Sequence, residues 1–227
     1  MTRKRRDFFC LTNAHSCEFS AHTCFGVIDP QQTNSVITMA RLDNPGSAQE
    51  EGVDAVVKPK IDVVCSPVDH NEEFMARYGD RKKCDGFIHS KRKDVFILFE
   101  IKNWHHRTLL PSDITDPNAR SQFSEEDIIH PKCDWRDEAV AQLQSTISIF
   151  KVLNADAHKN VPLTLEAYVV NPNCLNGAEV TDLEQKDRFL EETGYSLYID
   201  NTIEVLPPCR PISLRISRFN NSALLES

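Results

Sequence analysis

Apolar residues recur along this chain with two different periods, and the change of period marks the elements. Between Arg136 and Leu153, the residues Ala139, Val140, Leu143, Ile147 and Phe150 fall at helical spacing and form one stripe, so an amphipathic helix is expected there. Asp69–Tyr78 predicts a second helix, capped by Asp69 and stopped at Gly79, and Asp182–Glu192 a third, stopped at Gly194. Strands are expected where β-branched and aromatic residues cluster. Val53–Cys65 reads as one bent or edge strand interrupted by Pro59. Asp85–His89 and Val95–Lys102 flank the polar turn Ser90–Asp94 and read as a hairpin. Its second arm is almost wholly apolar, as when both faces are covered. Leu163–Val170 predicts another strand, ended by Asn171-Pro172. Tyr195–Leu206 predicts two short strands around Asp200-Asn201, and Ile212–Ile216 a last one.

The N-terminal region is harder to read. Asp7–Phe25 reads as a helix weakened by Thr, Asn, Ser and His, Asn44-Pro45-Gly46 as a turn, and Gln49–Gly52 as a short helical turn. A long polar loop is expected from Asn103 to Asp134, and loops of that length are usually functional. The order strand, strand, helix, strand from Asp85 onward predicts an α/β sheet.

With 227 residues the chain has the length of one generous domain or two small ones and can bury a real core. Twelve prolines and seven glycines are too few for a collagen-like or linker-like chain. The longest apolar run, Val95–Phe99, falls far short of the ~20 residues of a membrane helix. The basic start Arg3-Lys4-Arg5-Arg6 is not followed by an apolar signal-peptide stretch. A soluble intracellular protein is expected, cytoplasmic, or nuclear in a eukaryote, with no membrane partner. The net charge of −8 argues against a protein that coats nucleic acid non-specifically.

Two side-chain patterns carry possible chemistry. Cys10, Cys17 and Cys24 recur every seventh residue, as do His15 and His22. On a helix these would form two stripes and offer Zn²⁺ a small site, while cysteines on a buried helix face would merely pack. The second pattern lies on the hairpin. Glu100 and Lys102 stand two apart in an apolar strand and so share one face, and Asp85 begins the partner strand. Charges in that setting must pair or hold an ion. Two carboxylates suit a hard cation such as Mg²⁺, which keeps positions open for water and phosphate, and the lysine adds positive charge to a transition state. The competing readings are a cross-strand ion pair for Glu100 and Lys102, and a turn residue for Asp85.

Cys84-Asp85-Gly86-Phe87-Ile88 followed by Phe99-Glu100-Ile101-Lys102 resembles the signature of the PD-(D/E)xK nuclease superfamily, with Cys84 at the place of the proline. The resemblance covers about residues 53–171. It implies a restriction-endonuclease-like core, a mixed central sheet flanked by helices in the order α-β-β-β-α-β. The N-terminal extension (1–52) and the C-terminal helix and strands (172–227) would be additions to a single domain. It also implies Asp85 and Glu100 as metal ligands, Lys102 as the catalytic lysine, and Gln142 near the metal or the substrate backbone. Mg²⁺ is the implied cofactor, replaceable by Mn²⁺. Nucleic acid is the implied substrate, DNA favoured, in a defence, restriction or repair setting, with a homodimer or a larger complex possible. Many members add a glutamate, for which Glu18, Glu50, Glu51, Glu72 and Glu73 stand as candidates. Lys82, Lys83, Lys91, Arg92 and Lys93 bracket the hairpin and are candidate phosphate contacts. His105 and His106 are read as loop residues, Trp104 and Trp135 as anchors of the long loop. The alternatives are an inactive nuclease-fold module that binds nucleic acid or protein, and a zinc-stabilised interaction protein.

Overall fold

The computed structural model describes Phe8 and residues 15–30, 36–44, 52–68, 71–102, 131–156, 164–170 and 180–208. Two sheets, both mixed, and three helices make up these regions. The strands are β1 Cys17–Phe19, β2 Phe25–Ile28, β3 Thr38–Arg41, β4 Ala55–Pro59, β5 Val63–Pro67, β6 Gly86–Ser90, β7 Val95–Ile101, β8 Thr164–Val170, β9 Ser196–Asp200 and β10 Thr202–Val205. The helices are α1 Glu72–Tyr78, α2 Pro131–Asp156 and α3 Val180–Thr193. The larger sheet runs β1-β5-β6-β7-β8-β9. Its β1, β5, β6 and β7 are antiparallel neighbours, and β8 and β9 continue it in parallel. The smaller sheet runs β10-β4-β2-β3.

Every residue of β7 is buried because both its faces are covered. Phe96 and Leu98 pack with Leu143, Ile147 and Phe150 of α2, while Val95, Ile97, Phe99 and Ile101 pack with Phe25, Val57 and Ile203 of the smaller sheet. The two sheets therefore share a core. On the α2 face Phe8 sits edge-on to Phe74, Phe87, Phe96 and Phe150, ring centroids 5.2–5.9 Å apart. Each such pair adds about 0.5–1.5 kcal/mol to the area buried.

The helices predicted from Arg136, Asp69 and Asp182 all form, with shifted ends. Asn71 caps α1 in place of Asp69: its Oδ1 accepts the Phe74 amide at 3.0 Å. Two expectations are overturned. Val53–Cys65 is two strands in different sheets, because the chain turns at Lys60–Asp62 once Pro59 has ended β4. Residues 7–25 do not form one helix: β1 and β2 occupy their described C-terminal part, where β-favouring Phe and Cys outweigh weak helix formers. The two short strands expected around Asp200-Asn201 form as β9 and β10, and they enter different sheets, β9 joining β8 and β10 joining β4, each in parallel. The Asp200 carboxylate accepts the Asn201 and Thr202 amides at this switch between sheets. The expected Asn103–Asp134 loop up to residue 130, the turns at 45–46 and 49–51 and the Ile212–Ile216 strand lie outside the described residues. Among the described residues no helix is long and apolar enough to cross a membrane.

Candidate active site

Four of the residues singled out in the sequence meet at one end of β6 and β7. The β6–β7 register pairs Gly86 with Phe99, and its continuation sets Asp85 opposite Glu100. Strand alternation puts Asp85, Glu100 and Lys102 on the face of Phe87, Phe96 and Leu98, which α2 covers. Gly86 lies within the strand and is there for room: a Cβ on it would stand 2.5 Å from the Phe99 ring and 2.9 Å from the Ser66 carbonyl oxygen. Gly86 is therefore a strand residue, and Asp85 stands at a bend immediately before it.

The carboxylates are tied into the backbone. Asp85 Oδ2 accepts the Ile101 amide at 2.5 Å, and Glu100 Oε2 accepts the Asp85 amide at 3.1 Å. Glu100 Oε1 lies 2.8 Å from Lys102 Nζ, and Gln142 Oε1 accepts from the same ammonium at 2.9 Å. Gln142 Nε2 donates to the Lys83 carbonyl at 3.1 Å. One turn further along α2, Thr146 Oγ1 accepts the Cys84 amide at 2.9 Å and donates to the Gln142 carbonyl at 3.0 Å. One turn earlier, Glu138 reaches within 3.9 Å of Lys102 Nζ. Glu138, Gln142 and Thr146 thus form a polar stripe at intervals of four beside the apolar stripe of α2. The sequence reading found Gln142 but missed its two neighbours, although the spacing was there to read.

Burial raises the Asp85 carboxyl well above the usual carboxylate range, and the nearby Glu100 charge raises it further; the Ile101 amide opposes them. Burial pulls Lys102 down, but Glu100, helped by Glu138 and Asp85, outweighs it and holds the ammonium above its ordinary value. Two crowded carboxylates, one of them resisting ionisation, are a site that a divalent cation relieves. Among the described residues no group of three or more His, Cys, Asp or Glu side chains is placed to hold a metal. A cation here would take its remaining ligands from water and phosphate, which suits Mg²⁺ better than Zn²⁺.

The other candidates separate from this cluster. Lys83 is buried, and its ammonium lies 2.8 Å from the Arg81 carbonyl oxygen, with those of Tyr78 and Gly79 at 3.4 and 3.3 Å. It closes the C-terminal end of α1 and is not presented to a phosphate. Lys82 is exposed, three residues before Asp85. Lys91, Arg92 and Lys93 form the turn at the far end of the hairpin, about 17 Å from Glu100 at the ordinary rise per residue. Lys91 pairs there with Glu18 at 2.9 Å, which removes Glu18 as the completing glutamate. Glu72 is exposed at the start of α1. Glu50, Glu51 and the side chain of Glu73 lie outside the described residues, as do Trp104, His105, His106 and the side chain of Trp135. Cys17 lies in β1 and Cys24 immediately before β2, so their seven-residue spacing does not align them on a helix; Cys10 lies outside the described residues. Comparison with family models, curated proteins and solved structures returns no match.

Proposed function

We propose that the chain is a metal-dependent nuclease that hydrolyses phosphodiester bonds, DNA favoured, with a PD-(D/E)xK-type site on a restriction-endonuclease-like core. The observation that carries the reading is the convergence of Asp85, Glu100 and Lys102 on one face of one hairpin, with Gln142 of the covering helix on the lysine. The order β5-β6-β7, α2, β8, with the first three antiparallel and β8 parallel to β7, supports the same core.

In this reading Asp85 and Glu100 hold the cation, which when bound supplies positive charge to the phosphate and lowers the pKa of a water. Lys102 stands beside Glu100, and its charge would favour the extra negative charge of the pentavalent transition state. Gln142 restricts where that ammonium can point. Glu100 Oε1 pairs with Lys102 Nζ at 2.8 Å, so the lysine stands beside a carboxylate that would hold the cation. The Ile101 and Asp85 amides hold the two carboxylates in place.

The test is incubation with circular and linear DNA in Mg²⁺, Mn²⁺ or EDTA, beside Asp85→Ala and Glu100→Ala. Metal-dependent cleavage lost in both variants supports the reading. Absence of metal-dependent cleavage of DNA and of RNA by the folded protein returns the chain to the non-catalytic alternative.

A further inference from the structure

We propose that Cys17 and Cys65 form a redox site, a thiol pair that closes into a disulfide between β1 and β5 when the protein meets a hydroperoxide. The two residues are direct partners in the antiparallel β1–β5 ladder. Directly opposite residues project from the same face, with Cα atoms about 4.5 or 5.5 Å apart according to the pair type, and both separations fall within the span a disulfide bridges. The adjoining Ser16 and Ser66 show that side chains meet across this ladder, since their hydroxyls lie 2.5 Å apart. Both cysteines are free thiols. Burial pushes the Cys65 thiol up, and the neighbouring Cys17 pushes it further.

Their exposures set the order of events. Cys17 is half-buried on a three-residue edge strand, whereas Cys65 is fully buried. The peroxide therefore meets Cys17 first. The Cys17 thiolate attacks the O–O bond, an S–O bond forms, and the other oxygen leaves as hydroxide, or as alkoxide from an alkyl hydroperoxide, and is protonated to water or an alcohol. The Cys65 sulfur then attacks the Cys17 sulfenic acid; the S–S bond forms and the hydroxyl leaves with the Cys65 proton as water. Two thiols lose two electrons and two protons, and one hydroperoxide is reduced. The other described free thiols are placed differently. Cys24 adjoins β2 in the smaller sheet, and Cys84 lies on the α2 face with its sulfur toward the Gly86 carbonyl. The bond would fasten the edge strand to β5, whose neighbour β6 follows directly from Asp85. The site does not depend on the nuclease reading.

The experiment treats the full chain with graded hydrogen peroxide, alkylates the remaining thiols, and maps the digest by mass spectrometry. The expected result is a cross-linked peptide pair containing Cys17 and Cys65, lighter by two hydrogen atoms than the separate thiol peptides and lost on reduction with dithiothreitol. Under the same treatment Cys17→Ser should leave Cys65 as an alkylatable thiol. The proposal is overturned if Cys17 ends as a sulfinic acid or pairs with another cysteine while Cys65 stays reduced. Oxidation of Cys65 at the wild-type rate in Cys17→Ser overturns it as well.

Discussion

Lys102 Nζ and Gln142 Oε1 lie 2.9 Å apart, so the one ammonium of the candidate site is held by the helix that covers the sheet as well as by its own strand. This separates two effects. Lys102→Ala should spare divalent-cation binding and lower kcat by about 10²-fold or more, the loss of one transition-state donor. Gln142→Ala leaves the charge in place but frees its direction, and a loss of about tenfold in kcat is expected, equivalent to ~1.4 kcal/mol. Single-turnover cleavage beside calorimetric Mg²⁺ titration reads both. Loss of metal binding in Lys102→Ala would contradict the assigned role.

Thr146 acts one turn along the same stripe. It is fully buried, and its hydroxyl is the partner of the Cys84 amide immediately before Asp85. Thr146→Val keeps the shape but removes that hydrogen bond, which should cost about 1 kcal/mol of stability. Thr146→Ser should recover most of it. If the hydroxyl also positions Asp85, the Mg²⁺ concentration for half-maximal cleavage rises in the valine variant and returns in the serine variant. An equal Mg²⁺ midpoint in folded Thr146→Val would leave Thr146 with a structural role alone.

Much of this arrangement is legible in the sequence, for reasons that particular residues make plain. Glu100 and Lys102 share a face because strand side chains alternate, and the apolar run before them marks a strand covered on both sides. Gln142 is singled out by the family resemblance, and its place beside the helical stripe agrees with that. What fails is long-range. Nothing local in Val53–Cys65 says that β4 and β5 enter different sheets, since both have the composition of buried strands. The fate of Lys83 is also hidden: its neighbours Arg81 and Lys82 are exposed, but its own side chain turns back onto the end of α1. The seven-residue Cys/His echo carries a helical period into a region that forms strands.

The raised Asp85 pKa sets a pH dependence with a definite sign. Its carboxyl ionises less readily in the folded, metal-free protein than in the unfolded chain, where the value is about 3.9. Protonated Asp85 therefore contributes stability that is fully present below about pH 4 and is lost as pH rises through the folded value. Asp85→Asn keeps an oxygen for the Ile101 amide and cannot ionise. Relative to this variant, the metal-free wild type should lose stability as pH rises, and Mg²⁺ should restore it in the wild type only. Thermal unfolding of both proteins across pH, with Mg²⁺ and with EDTA, measures the difference; parallel curves would mean that Asp85 ionises as freely as in water.

The two basic clusters around the hairpin should behave differently, because the hairpin that separates them is buried on both faces. Arg81 and Lys82 are exposed on the segment that leads into Asp85, at the end where the carboxylates stand. Lys91, Arg92 and Lys93 occupy the opposite end of the strands, whose two faces are covered by α2 and by the smaller sheet. Each phosphate contact contributes about −0.9 to the slope of log affinity against log salt for duplex DNA, and about −0.7 for a single strand. Replacing Arg81 and Lys82 by alanine should therefore weaken binding and flatten that slope by roughly one to two such steps. Replacing Lys91, Arg92 and Lys93 together should leave the slope near the wild-type value, because one of the three already pairs with Glu18 and none stands at the site. Binding of the catalytically blocked Lys102→Ala protein at several salt concentrations isolates the effect from cleavage. A flattened slope in the turn variant, with none in the Arg81/Lys82 variant, would mean that the substrate approaches from the other end of the sheet.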